Sequence, residues 1–413
     1  MARRQRKSLA ILDTVKAIGT IRIATFSILG VAGAWFAFAL AVSGVARIKA
    51  PAAALAVMPG ESIALASRAD QLFFASPQNP PPEVKRLALK ALESQPINPK
   101  ALRLLGYIED AGGNSSKAEK YVRMAAKLSR REAGTQLWLI EASARKGDIR
   151  QTLVHYDIAL RTKPETQTVL FPRLVNAIED PEIRAALKPY IRSENGWATS
   201  FLSFAINNSK DLPVLTRLIL ETGGLSDPDE ARVQEAALIG RLVFERYFAE
   251  ARQIFLQMPR AQASRVSSAA FDASDRDALF GAIGWQLIND PDAGGGFTEN
   301  GKRVALSVFA NSSTTRPIAT KLLYLKPRNY ILDVKVSNID RGSGGFMRWE
   351  LRCPDAAGGK ILWSVDSVAA SLKARFNIPS GCPVQYLNLI ASGGNGQTGL
   401  EATIRSVAIS PEG

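Results

Sequence analysis

The sequence predicts a multidomain α + β protein: a single N-terminal transmembrane helix, an α-helical solenoid and a C-terminal antiparallel β-sandwich of jelly-roll type. Three observations predict it: an uncharged run of 23 residues from Ile23 to Val45, a 34-residue repeat between Pro99 and Thr166, and apolar–polar alternation after about residue 278. The predicted parts are a basic tail (1–22), the membrane helix (23–45), a linker (46–60), the solenoid (61–259), a second linker (260–277) and the sandwich (278–413).

The apolar run is long enough to cross a bilayer. At about 1.5 Å per helical residue, 23 residues cover roughly the 30 Å of the hydrocarbon core. No face of this helix is polar, which argues against a buried helix of a soluble domain. The rival interpretation is a cleaved signal peptide, whose apolar core usually has about 7–15 residues. Because the run is longer and Pro51 disfavours cleavage after Ala50, we favour a retained anchor.

The charges that flank the run predict its orientation. Six basic residues precede it against the single acid Asp13, whereas only Arg47 and Lys49 follow closely. By the positive-inside rule the N-terminus is cytoplasmic and the chain after about Lys49 is exported.

The net charge of +14 does not predict a nucleic-acid partner. The basic tail accounts for part of it, and from Asp275 onwards 15 Lys/Arg face 12 Asp/Glu, a surplus of only three. No Lys/Arg run interleaved with aromatic residues indicates a nucleic-acid track.

Two cysteines, Cys353 and Cys382, occur late in the chain. In an oxidising compartment a disulfide is the expected state, with two free core thiols or half of a metal site as the alternatives. The single histidine, His155, is far away in sequence, so a zinc site has too few ligands and we predict no metal or cofactor. We expect His155 to be a surface or groove-edge residue.

The helical middle repeats. A shift of 34 residues places Leu105 on Leu139, Gly113 on Gly147 and Ala125 on Ala159, and Leu238–Pro259 reads as a last, degenerate unit. This pattern resembles the tetratricopeptide repeat, in which small residues let paired helices approach closely. The resemblance implies stacked helical pairs that mostly serve as protein-binding surfaces.

Period-two alternation predicts about eight strands in the C-terminal part. The segments LKPRNYILDVKV, RWELRC, FNIPSGCPVQYLNLIA and ATIRSVAI resemble galactose-binding-like sandwiches of carbohydrate-binding modules. The alternation assigns Trp285, Trp349 and Trp363 to the core. Cys353 ends one predicted strand and Cys382 opens another, so a disulfide between them would join neighbouring strands.

The resemblance implies a glycan site built from an aromatic platform and polar partners. The candidate platforms are Phe346 and Tyr386, both off the core face. The candidate polar partners are Arg348, Gln385, Asn388 and Asn395.

Catalysis has weak support in the sequence. Glu350 and Asp366 are the only carboxylates that we consider as a glycosidase pair, and Glu350 is expected to face solvent. The loop Gly393–Gly399 lacks the Lys-Ser/Thr of a phosphate-binding motif. We therefore predict no catalytic residues.

The combination resembles envelope proteins that accompany extracellular polysaccharide synthesis and export in Gram-negative bacteria. It implies a bacterial inner-membrane adaptor with its bulk in the periplasm, protein partners and a glycan ligand. The alternatives are a polysaccharide-modifying enzyme, or a sandwich that is only a structural cap.

Overall fold

The computed structural model describes residues 2–192, 196–223, 228–258, 261–276, 280–300, 303–342, 344–354 and 359–412. Contacts divide the chain into two compact units, Met1–Thr166 and Gln167–Gly413. This boundary lies inside the predicted solenoid, so the second unit contains both helices and sandwich.

The first unit is helical. Its α-helices are α1 (Ala2–Lys49), α2 (Pro51–Val57), α3 (Ser62–Ala75), α4 (Pro82–Ser94), α5 (Pro99–Ala111), α6 (Ser115–Leu128), α7 (Ala133–Arg145) and α8 (Ile149–Thr162). The stretch 46–60, which we expected to be a linker, thus contains the end of α1 and all of α2.

Helix α1 contains the predicted apolar segment. Within it, Thr25–Lys49 is long and apolar enough to cross a membrane, by length and composition. Large apolar side chains such as Phe26 and Trp35 are exposed along it.

The helical pairs follow the predicted period. Helices α5 and α7 begin at residues 99 and 133, and α6 and α8 at 115 and 149, so both offsets are 34 residues. Gly106 lies where α5 meets α6, and a Cβ there would come within 2.6 Å of Val122 Cγ2 and 3.1 Å of the Ala118 carbonyl oxygen. The close approach of this pair therefore depends on a residue without a side chain.

His155 is buried, contrary to the surface or groove-edge position that we expected. It is 9% exposed, and its Nδ1 lies 2.9 Å from Oε1 of the buried Gln136. Burial lowers the pKa of His155, which favours the neutral imidazole.

The second unit begins with helices. They are α9 (Gln167–Ala177), α10 (Pro181–Arg192), α11 (Gly196–Asn208), α12 (Leu212–Thr222), α13 (Pro228–Phe244), α14 (Phe248–Gln257) and the short α15 (Ala273–Arg276). The predicted last unit, Leu238–Pro259, corresponds to α13 and α14, although Pro259 lies outside the described residues.

The strands that follow form two antiparallel sheets, as predicted. They are β1 (Trp285–Leu287), β2 (Ala293–Asn300), β3 (Arg303–Ala310), β4 (Thr315–Leu323), β5 (Asn329–Asp340), β6 (Phe346–Cys353), β7 (Lys360–Ser367), β8 (Ser371–Asn377), β9 (Gln385–Ser392) and β10 (Leu400–Pro411). In the described residues, sheet A has the order β1-β4-β9-β6-β7 and sheet B the order β2-β3-β10-β5-β8.

The sandwich core lies between the sheets. Trp285 and Trp349 are buried in it and Trp363 packs against it, as the alternation predicts. The predicted disulfide is confirmed: Cys353 ends β6, Cys382 lies just before the neighbouring β9, and their Cα atoms are 5.8 Å apart.

The strands β2 and β4 were not predicted from the sequence. The glycines Gly294–Gly296 lie inside β2, where a Cβ at Gly295 would come within 2.8 Å of the Ser307 carbonyl oxygen of β3. In β4 the alternation is hidden by a register shift between Pro317 and Ala319 and by Lys321, which is fully buried.

The segment 260–277, which we expected to be a linker, is anchored by buried charges in its described part. Arg265 Nη2 lies 2.6 Å from Asp275 Oδ1, and the same oxygen accepts a hydrogen bond from the Trp285 backbone N–H at 2.9 Å. The side chains of Arg265 and Asp275 are 8% and 0% exposed. This ion pair ties the segment to the first strand of the sandwich.

Candidate functional site

Three of the predicted glycan-site residues lie on the outer face of sheet A. Phe346 and Arg348 are on β6, and the Arg348 guanidinium carbon lies 5.1 Å from the centre of the Phe346 ring. Arg348 Nε also donates to Asp366 Oδ1 at 2.6 Å. Asn388 on β9 accepts a hydrogen bond from the Thr320 hydroxyl at 2.7 Å. Their polar atoms thus already bond within the sheet.

Gln385 is not available to a ligand, so its prediction as a contact residue is wrong. Its side chain is fully buried, and its Oε1 accepts a hydrogen bond from the Leu325 backbone N–H at 2.9 Å. Its Nε2 donates to the Cys382 carbonyl oxygen. Gln385 therefore holds the chain after β4 against the disulfide.

Asn395 lies apart from the other polar candidates, in the loop between β9 and β10. Its side chain is exposed. The loop is attached to the turn after β3, where the Ser313 backbone N–H donates to the Gly394 carbonyl oxygen at 2.6 Å. The predicted residues thus form no single cluster.

Tyr386, the second predicted aromatic platform, packs against helix α14. It is half-buried, and its ring meets Phe248 of α14 edge to face, with ring centres 6.3 Å apart. Burial raises the pKa of Tyr386, which keeps its hydroxyl protonated. One of the two predicted platforms is therefore packed under a helix.

Beside this contact is a crevice between α14 and the sandwich, with a volume of about 600 Å³. Volumes of this order are typical of small-molecule sites. Its lining residues are Arg246, Tyr247, Phe248, Ala249, Glu250, Arg252, Gln253, Tyr324, Leu325, Lys326, Pro327, Pro383 and Val384.

The walls of the crevice combine aromatic rings with positive charge. Tyr247, Phe248 and Tyr324 are each half-buried. The Tyr324 hydroxyl donates to the Phe248 carbonyl oxygen at 2.8 Å, and the guanidinium of Arg252 lies 6.0 Å from the centre of the Tyr324 ring.

The crevice was not predicted from the sequence, because the candidate residues were sought on the strands alone. One feature of the sequence could have indicated it. The repeat places glycine at 113 and 147 between paired helices, whereas the degenerate unit carries Arg246 between α13 and α14.

A second cavity, of about 510 Å³, lies in the first unit on helices α3, α5 and α7. We call it the helical groove. Phe73, Tyr107 and Trp138 line it together with the acids Asp110 and Glu141. Its further lining residues are Pro77, Gln78, Ala111 and Leu137.

The groove is built on a buried arginine. Arg103, 2% exposed, lies between Asp70 and Glu132, with its guanidinium carbon 4.8 Å from the centre of the Tyr107 ring. The Tyr107 hydroxyl donates to the Gly134 carbonyl oxygen at 2.7 Å, and burial raises the pKa of Tyr107 to about 12. The position of the Tyr107 ring is therefore fixed by contacts within the protein.

The two carboxylates considered for catalysis are each paired with an arginine. Glu350 Oε2 lies 2.8 Å from Arg352 Nη2, and Asp366 is bonded to Arg348. Glu350 lies on the face opposite Trp349, but its side chain is only 8% exposed, contrary to the solvent-facing position that we expected. Nothing in this arrangement favours a glycosidase pair.

Among the described residues, no group of three or more His, Cys, Asp or Glu side chains is placed to hold a metal.

No protein-family model matches the sequence, and no curated protein matches it. Solved structures similar to part of the chain include TmCBM61 in complex with β-1,4-galactotriose, at 13% identity and a TM-score of 0.23, covering 31% of this chain and 88% of that one. A structure described as CBM4 structure and function has 11% identity and a TM-score of 0.22, covering 36% and 88%. The CBM22-1–GH10 modules of Clostridium thermocellum xylanase 10B with xylohexaose have 16% identity and a TM-score of 0.24, covering 36% and 28%. Likeness at this level carries no argument about the ligand of this chain.

Proposed function

We propose that the protein is a non-enzymatic adaptor, anchored in the bacterial inner membrane, that holds a protein partner with its helices and a glycan with its sandwich. In this proposal the N-terminus is cytoplasmic, the bulk is periplasmic, and the site of action is polysaccharide synthesis or export. The helical pairs of the first unit then act as tetratricopeptide-like repeats.

The observation that carries the proposal is the helical groove. It is concave and lined by aromatic rings, and the Tyr107 ring is held by a hydrogen bond to the protein itself. The Trp138 indole N–H donates to Asp110 Oδ2 at 2.9 Å, so this ring is fixed as well. Preorganised aromatic side chains are typical anchors of protein interfaces.

The acidic residues of the groove indicate which class of protein segment would complement it. Asp110 and Glu141 are the carboxylates among its described lining residues, which include no lysine or arginine, and Asp110 Oδ2 lies 4.0 Å from Nη2 of the exposed Arg145 beside the groove. The complementary occupant is a protein segment with apolar side chains and at least one lysine or arginine.

Crosslinking in intact cells tests this function. A photo-crosslinking residue at Ala111, which lines the groove, is expected to capture a defined protein, whereas the same residue at the exposed Met124 of α6 is not. Glu141→Lys is expected to abolish the capture, and Glu93→Lys, an equal charge change on the exposed surface of α4, is expected to leave it intact. Identical products from Ala111 and Met124, or capture that survives Glu141→Lys, would overturn the protein-binding role.

The enzymatic alternative has its own test. Replacing Glu350 and Asp366 together by alanine removes both candidate catalytic carboxylates. The adaptor proposal expects polysaccharide output to persist in a strain with this variant, provided that its protein level is unchanged. A loss of output at a normal protein level would favour an enzyme.

A further inference from the structure

Arg246 has a backbone conformation that an arginine rarely adopts. Its φ is 69°, in the left-handed region where a side chain clashes with the backbone. It lies in a three-residue turn between α13 and α14, in which the Tyr247 N–H bonds to the Leu242 carbonyl oxygen at 2.7 Å. This bond pattern closes a helix around a left-handed residue, for which glycine is the usual choice.

The same chain uses glycine in the same turn elsewhere. Gly113 ends α5 with φ 82°, and Gly147 ends α7 with φ 70°, each within a three-residue connection to the next helix. The Asn114 and Asp148 N–H groups make the equivalent bonds, at 2.8 and 3.0 Å. The turn at Arg246 therefore carries a side chain at a cost that two equivalent turns avoid.

The side chain of Arg246 contributes to the crevice described above. Arg246 and Lys326 are exposed, and neither has an ion-pair partner among the described residues. With Arg252 they place three cations in the lining against one acid, Glu250. A strained residue at the edge of a cavity points to a function for that cavity.

The opposite wall is held in place before any ligand binds. The Tyr324 backbone N–H donates to the Val266 carbonyl oxygen at 2.7 Å, and the Leu325 N–H is held by Gln385. The Lys326 carbonyl oxygen accepts from the Tyr330 hydroxyl at 3.1 Å. Fixed walls reduce the entropy that a ligand loses on binding.

We propose that this crevice binds an acidic saccharide, with Tyr247, Phe248 and Tyr324 packing against sugar rings and Arg246 and Lys326 binding carboxylates. The inference rests on the proposed glycan-binding role of the sandwich, and it gives that role a location and a ligand class. Guanidinium groups pair with carboxylates through two parallel hydrogen bonds, and half-buried aromatic rings offer flat apolar surface to sugar C–H faces. The aromatic walls favour a saccharide over a lipid headgroup, because cationic side chains alone are enough to bind a headgroup.

The test is a titration of the full-length protein in detergent with oligogalacturonate, an acidic probe, and with a neutral galactose oligomer of equal length. We expect binding of the acidic oligomer that weakens at least tenfold between 50 and 500 mM salt, because exposed charge pairs are screened. The neutral oligomer is expected to bind at least tenfold more weakly.

Arg246→Gly is the decisive variant, because it removes the charge and supplies the residue that the turn prefers. Arg246→Gly combined with Lys326→Gln is expected to weaken oligogalacturonate binding at least tenfold while the protein stays folded. Arg405→Ala, at another exposed arginine of the sandwich, is the matched control and is expected to bind normally.

Two results overturn the inference and differ in what they leave standing. Saccharide binding that is indifferent to the acid groups and to the double variant refutes this site, but leaves the glycan role of the sandwich intact. Absence of saccharide binding refutes both this site and the glycan role of the sandwich. This conclusion holds whether or not the protein captures phosphatidylglycerol vesicles. The protein-binding role is judged separately, by the crosslinking from Ala111.

Discussion

At the residue scale, function and stability conflict most visibly at Arg246. The turn between α13 and α14 would accept glycine, as the turns at Gly113 and Gly147 do. A non-glycine residue with this φ costs on the order of 1 kcal/mol. Ser313 and Asn338 also have positive φ among the described residues, and asparagine is one of the residue types enriched in this region.

Arg246→Gly is accordingly expected to stabilise the protein by about 1 kcal/mol, because it relieves this strain. Denaturant unfolding at equilibrium measures the change. Gly147→Arg, the reverse exchange in the equivalent turn after α7, is expected to destabilise by a similar amount. Arg246→Gly with unchanged or lower stability would contradict the strain that we assign to this turn.

Glu235 gives the protein a pH-dependent stability. It is 3% exposed, its Oε2 has no hydrogen-bond partner among the residues that the structure describes, and burial raises its pKa from 4.5 to about 7. The unfolded chain therefore loses this proton first, and the contribution of Glu235 falls as pH rises from 4.5 through 7. Glu235→Gln is expected to stabilise the protein by about 1–3 kcal/mol at pH 8 and to change little at pH 4.5. Unfolding curves at the two pH values measure the difference, and an equal effect at both would contradict the buried, protonated carboxyl.

Single residues were also where prediction from the sequence failed. Alternation placed Glu350 off the core face correctly, but did not reveal that its side chain is buried and paired with Arg352. Gln385 and His155 were assigned to accessible surface, yet both are buried with partners that are distant in sequence, Leu325 and Gln136. Such burial depends on what packs over a residue, which local spacing does not contain.

At the scale of elements, the paired helices α5–α8 followed from the sequence because their period and turn glycines are local, whereas α2 formed in a stretch that we expected to be a linker. The strands followed where the alternation was regular. Strand β4 did not, because Lys321 is buried at a core position and its Nζ donates to the Ile283 carbonyl oxygen at 3.1 Å. Burial lowers the pKa of Lys321 to about 8, which marks how far this residue departs from an ordinary surface lysine.

Glycine-to-alanine substitution is expected to have opposite effects on stability at Gly106, where α5 packs closely on α6, and at Gly240 of α13, where the space is open. Gly106→Ala is expected to destabilise the first unit by about 1–3 kcal/mol, because its Cβ would overlap Val122. Gly240→Ala in α13 meets nothing within 4 Å and is expected to stabilise by up to about 1 kcal/mol through helix propensity. Hydrogen exchange of α5–α6 and of α13 measures each effect locally. Equal effects of the two substitutions would contradict the close approach at Gly106.

At the scale of the whole molecule, the segment before the sandwich is part of the fold of the second unit. The buried pair of Arg265 and Asp275 holds this segment to Trp285, and Lys321 lies in the same electrostatic environment. Composition alone indicated a linker there, because small polar residues surround the two charges. Domain boundaries drawn from composition fail where a few buried charges do the anchoring.

Asp275→Ala is expected to destabilise the sandwich by about 3 kcal/mol, because the buried Arg265 would keep only the half-exposed Asp272 as an ion-pair partner and the Trp285 N–H would lose its acceptor. Asp366→Ala removes an ion pair whose side chains are 39% and 46% exposed, and is expected to cost no more than about 1 kcal/mol. Tryptophan fluorescence follows both, since Trp285 and Trp349 lie in the core. A cost at Asp275 no larger than that at Asp366 would contradict the anchoring role.

The proposed partners and the oxidised cysteines all require that the bulk of the protein lies outside the cytosol. A dual reporter fused after Gly413, active as a phosphatase only when exported and as a β-galactosidase only in the cytosol, tests this most directly when combined with alkaline washing of membranes. We predict phosphatase activity from a full-length fusion that stays in the washed membranes. β-Galactosidase activity, or release of a shortened fusion from the membranes, would contradict the anchored and exported adaptor.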